Sequence, residues 1–259
     1  MRLQIAPDAR PQVTTLMLAT ALSVILWFIP YAEILTYPFR IFVTFIHEGG
    51  HALAALVTGN SVLSLTVATD GSGEVYSATG GVLSQMFISS AGYLGAMSFG
   101  ALLLLLIRRA ASARVVLAGS AALVLLLTVL FGFLAPLWNL SLPGLFTLFA
   151  GVALPLGLFA AARYAGPRLA AFLVGFIAVQ CVLNALFDLK NVLFASALTE
   201  AHTDAFNMAR ATGIHQLFWA AFWVGVSFVI LSLALRAYAV GKSRPAQPDL
   251  PFEDAPLEV

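Results

Sequence analysis

Seven apolar stretches, most of them about as long as a bilayer's hydrocarbon is thick, recur along this chain with polar breaks between them. They lie at 13–35, 41–57, 82–107, 115–135, 144–162, 168–189 and 214–240. A helix needs about 20 apolar residues to cross that layer, so the pattern predicts an all-α polytopic membrane protein of about seven transmembrane helices. Composition agrees: of 259 residues, 61% are hydrophobic and 10% are charged, where a soluble domain carries about 25% charged residues to cover its surface. The first stretch is longer than a signal-peptide core of about 7–15 residues and reads as a span. The breaks IRRAASAR, PLWNLSLP and RYAGPR are short enough to join antiparallel neighbours. One transmembrane domain over 1–240 and a disordered polar tail over 241–259 follow.

A net charge of +1 offers no footprint for nucleic acid. A single cysteine, Cys181, excludes an intrachain disulfide and a cysteine-rich zinc site. Counting basic residues on the two ladders of breaks puts nine of 13 on the side of the C-terminus. The C-terminus is therefore expected in the cytoplasm and, with seven spans, the N-terminus outside. Ala- and Leu-rich spans with Arg in excess of Lys fit a bacterial plasma membrane.

One interval breaks the helical pattern. In residues 61–81, Leu63, Leu65 and Val67 alternate with Ser64 and Thr66, and Asp70-Gly71-Ser72-Gly73 is a turn signal. A small β-hairpin is expected there, directly after the second helix.

That second helix carries the chemistry. His47-Glu48-Gly49-Gly50-His51 places two imidazoles four residues apart on one helical face, where both can hold one Zn²⁺, with Glu48 placed to take a proton from a zinc-activated water. Ionisable groups inside a membrane cost at least ~2.5–3.5 kcal/mol each at the centre, so three within five residues point to function. Catalytic zinc takes three protein ligands. Asp188, at the end of the 168–189 run, is the first candidate for the third; His202 and Asp204, in TEAHTDAFNMAR, are alternatives that also read as a solvated helix start capped by Thr203 or Asp204.

The sequence resembles the intramembrane zinc metalloproteases of the site-2 protease type, peptidase family M50, and within it the M50B-like branch. HEGGHALAALVTG, the strand-like glycine-rich interval after it, SAGYLGAMSFG and a late helix ending in Asp carry the resemblance. It implies one zinc per chain held by His47, His51 and Asp188, Glu48 as the catalytic glutamate, and membrane-anchored protein substrates. Gly92 and Gly95 match a substrate-contacting element of the family, which there contains an Asn that this chain lacks. Leu63 and Leu65 mark a strand whose edge could hold an unwound substrate segment by strand addition. Asp188 is followed by Leu189 where better-known relatives have Gly. These departures support a second reading, a non-catalytic membrane scaffold or regulator that keeps its metal. A metal transporter is a third, disfavoured because the ionisable groups concentrate on one helix.

Overall fold

The computed structural model describes residues 10–78, 80–108, 112–198 and 203–239. The expected tail, 241–259, and His202 lie outside the described residues. In chain order the elements are α1 (Arg10–Phe28), α2 (Glu33–Val57), β1 (Val62–Val67), β2 (Gly73–Ser77), α3 (Val82–Arg108), α4 (Ala113–Leu127), α5 (Ala135–Trp138), α6 (Leu145–Tyr164), α7 (Pro167–Leu198), α8 (Asp204–Thr212) and α9 (Gln216–Ala239). A π-helical stretch, Thr128–Leu134, joins α4 to α5.

Among the described residues five helices are long and apolar enough to cross a membrane: α3, the continuous Ala113–Trp138 helix, α6, α7 and α9. The expected count of seven is not reproduced. In α1 the apolar segment is the shorter Leu16–Leu26, and α2 pairs its apolar face with Glu33, Arg40, His47, Glu48 and His51. The polar interval after 189 also differs from expectation. Helix α7 runs on through Lys190 and Asn191 to Leu198, and α8 occupies much of what remains.

Helix α2 is the inner element. Its buried face includes Ile41, Phe42, Phe45, Ile46, Ala52 and Ala55, recurring at the three-to-four residue spacing that lines one side of a helix. Against this face packs α3, and the approach is close enough that a Cβ on Gly50 would strike the carbonyl oxygen of Ala91. Small residues at such a crossing let two backbones approach where bulkier side chains would hold them apart. The helix stops at Thr58-Gly59, with Gly59 at φ 79° and Asn60 N–H returning to the Ala55 carbonyl at 2.8 Å. Left-handed backbone at that place is what glycine supplies without a Cβ clash.

The chain then forms a two-stranded antiparallel sheet, with Leu65 opposite Val75 and Val67 opposite Gly73. Its turn is closed by Asp70, whose Oδ1 accepts from the hydroxyl of Ser72 at 2.7 Å and its N–H at 2.9 Å; these bonds hold the Asp70 carboxyl below its usual range. The outer edge of β1 is occupied. Thr147 Oγ1, on α6, accepts from the Val67 N–H at 2.9 Å and donates to the Val67 carbonyl at 3.2 Å. Nearby, Gly132 in the π-helical stretch lies 3.8 Å from the Leu65 carbonyl oxygen, measured from the Cβ it lacks.

Gly50→Ala should therefore push α2 and α3 apart and lower stability by about 1–3 kcal/mol, as overpacking does. Gly157→Ala, where nothing lies within 4 Å of an added Cβ, should be neutral. Thermal unfolding of the two variants in detergent checks the difference.

Candidate metal centre

Two consecutive turns of α2 project His47 and His51 toward the same point, with their Nε2 atoms 3.1 Å apart. His51 donates its Nδ1–H to the Ile88 carbonyl at 2.7 Å. A carbonyl can only accept, so this bond fixes the tautomer and leaves Nε2 with a free lone pair. The His47 ring stands edge-on to Tyr93 at 4.6 Å between centroids, and Tyr93 in turn stacks on Trp223 at 5.5 Å.

The third group comes from α8. Asp204 Oδ2 lies 3.3 Å from His51 Nε2 and 3.7 Å from His47 Nε2. Thr203 caps this helix by accepting from the Phe206 N–H at 3.3 Å, which fulfils the helix-start reading of the segment. Asp204 is then the first residue of α8, where the helix dipole favours a carboxylate. Ala205 and Met208 anchor α8 in a cluster with Leu189, Trp219 and Trp223. Burial pushes the Asp204 carboxyl up, but His51 and then His47 outweigh it and hold the group well below the usual carboxylate range.

His47, His51 and Asp204 offer ligand atoms all within 4.8 Å of one another. Tetrahedral zinc ligands at 2.0–2.1 Å from the metal stand about 3.3 Å apart, so the three separations suit one ion. Two imidazole nitrogens and a carboxylate oxygen gathered at this range share a positive charge, either a proton on an imidazole or a metal cation among them. Gly92 supplies a second indication: a Cβ there would collide with both Nε2 atoms, filling the space the donors face.

Asp188 is not in this group. It lies half-buried on α7, two residues before Lys190, whose ammonium covers the Phe187 ring at 4.1 Å. It is within electrostatic reach of His47 and Arg40. Sequence reading ranked it above Asp204 because its apolar run made an uncompensated carboxylate costly. The signal for Asp204 was the Thr203 cap, which at sequence level could be read only as solvated.

Glu48 is buried beside the donors and under the start of β2. An added Cβ on Gly73 would stand 2.6 Å from Glu48 Oε1, so glycine lets the strand's backbone pass directly over the carboxylate. A ladder on α2 fixes the turn that leads into that strand: Tyr37 donates to the Thr69 carbonyl at 2.6 Å, Arg40 to the Asp70 carbonyl and Thr44 to the Gly71 carbonyl at 2.8 Å. Positions 37, 40 and 44 are one face of a helix, and sequence reading passed over them.

These groups open into a cavity of about 1270 Å³ lined by His47, Glu48, His51 and Asp204, by all of β2 and by one face of α8. Leu63 and Leu65 do not line it. Leu65 is fully buried in the core and Leu63 is exposed. Gly95 faces Gly50 across the α2–α3 contact, where an added Cβ would lie 3.6 Å from the Gly50 Cα, so its role is in helix packing.

The family model described as Peptidase M50B-like matches residues 16–234. The chain belongs to that family. No curated protein and no solved structure matches it. The M50B-like assignment accords with the His-Glu-x-x-His helix, and the His47, His51 and Asp204 cluster is a possible metal site for this family member.

Gly92→Ala in the M50B-like chain should reduce whatever metal the wild type holds at this site, with the fold retained. Gly95→Ala should keep the metal. Elemental mass spectrometry of purified protein, alongside thermal unfolding, reads both outcomes.

Proposed function

We propose that this chain is an intramembrane zinc metallopeptidase that cleaves peptide bonds of membrane-associated proteins. The observation that carries the reading is Glu48, buried beside three convergent metal donors at the head of a cavity whose wall is an unpaired strand edge. We assign His47, His51 and Asp204 as the ligands, with Asp204 in the place first given to Asp188. Zinc bound there would supply a Lewis acid for the scissile carbonyl and for the attacking water.

Glu48 takes the proton from that water and returns it to the leaving amine. Its burial keeps bulk water away from the exchange. A transmembrane helix hides its amides in its own hydrogen bonds, so the segment to be cut has to be unwound and held extended. The expected device was strand addition along Leu63 to Val67, and the edge with free groups is instead β2. Val67 turns its N–H and C=O outward to Thr147. Antiparallel pairing makes its partner Gly73, and Val75 two residues on, turn theirs outward too. Among the described residues that side of β2 carries no strand, and it lines the cavity.

The scaffold reading shares the metal and lacks the chemistry, so Glu48 separates the two. Glu48→Gln should retain zinc and lose about 10²-fold or more in cleavage, the contribution of a general base. A variant that cleaves at the original rate removes Glu48 from the reaction. Asp204→Asn should lose zinc while Asp188→Asn keeps it. Val75→Pro, tolerated at a sheet edge, removes one outward donor and should weaken substrate peptide binding by about tenfold; unaltered binding would exclude β2 as the docking edge.

A further inference from the structure

The cavity has an electrostatic asymmetry that the proposed chemistry does not use. Its acidic groups, Glu48, Glu74 and Asp204, lie on α2, on β2 and at the first residue of α8. Arg210, in the last turn of α8, is the one Arg or Lys among the described residues that line it. The ion pairs among the described residues involve His47, His51 and Asp204, and none involves Arg210. Its guanidinium lies 6.0 Å from the centre of the Phe206 ring, one turn back on the same helix, and its side chain is exposed. A place near a helix C-terminus suits a cation but leaves its planar fork of donors unengaged by any described residue. That fork matches a carboxylate in two parallel hydrogen bonds.

We infer that Arg210 is a specificity site that binds a carboxylate on the substrate chain, close to the bond to be cut. Asp204 and Arg210 are six residues apart on one helix, about 9 Å of rise. An extended peptide covers that length in about three residues. The ligand is thus an acidic side chain, or a free chain terminus, about three residues from the scissile bond. Asn207, between the two on α8 and also lining the cavity, is placed to add an amide donor. The position of the scissile bond rests on the peptidase reading; the carboxylate site itself does not.

The test uses short apolar peptides in detergent, paired to differ only in Glu against Gln three residues to either side of a central bond. A second pair ends at that position in a free carboxylate or an amide. Binding is measured by fluorescence polarisation on zinc-loaded Glu48→Gln protein, and cleavage on the unaltered protein. The acidic member should bind about tenfold more tightly, as expected for a charge-assisted pair, and less so at high salt. Arg210→Gln should bring the ratio to about one with zinc content retained, and Arg210→Lys should restore part of it. A preference confined to the terminal-carboxylate pair identifies the chain end as the ligand. A ratio of one in the parent protein, or a ratio that survives Arg210→Gln, overturns the inference. If neither peptide is cut and the Arg210-dependent binding ratio persists, the peptidase reading fails and the carboxylate site stands.

Discussion

Two imidazoles and a carboxylate brought together among apolar helices depend on a positive charge shared between them, and much of this fold serves to hold them in place. His47 and His51 come from one helix and are aligned by its pitch. Asp204 comes from another, far along the chain, and must be delivered by packing. That is why α8, a short helix that is polar for this protein, is pinned by Ala205 and Met208 beneath Trp219 and Trp223. The Trp223 ring is held in turn by its Nε1–H, which donates to Ser90 Oγ at 3.0 Å. Tyr93 lies between, touching His47 on one side and Trp223 on the other, so the second core cluster buttresses the metal donors.

Helix α3 makes the same argument from the other direction. Gly92 leaves room in front of the imidazoles, and the carbonyl of Ile88, one turn earlier, sets the tautomer of His51. One helix thereby both vacates the site and orients a donor within it. The closeness of α2 and α3 at Gly50 makes both contacts possible, which gives a packing residue a consequence for chemistry.

What could be read from the residues followed the range of the interaction. The His-Glu-x-x-His spacing is local and its geometry is fixed by helical pitch, so His47, His51 and Glu48 fall together as the pattern implies. The alternation of Leu63 to Val67 corresponds to β1, but only tertiary contact shows that Thr147 has taken its outer edge. The third donor is non-local. An apolar run ending in Asp188 drew attention because a buried carboxylate is costly, whereas Asp204 looked at ease in a polar segment. The count of seven spans is not reproduced among the described residues for a related reason: hydropathy treats α2 as another apolar run, although it also carries charged and imidazole groups.

Thr147 has a further effect on the sheet. By spending one hydroxyl on both main-chain groups of Val67, it ends the ladder on that side, so the hairpin can grow in one direction only. A chain added at β2 completes a three-stranded sheet, and the next free edge belongs to the visitor. If β2 takes an added strand as proposed, the hairpin would act as a template of limited length, ordering one extended segment.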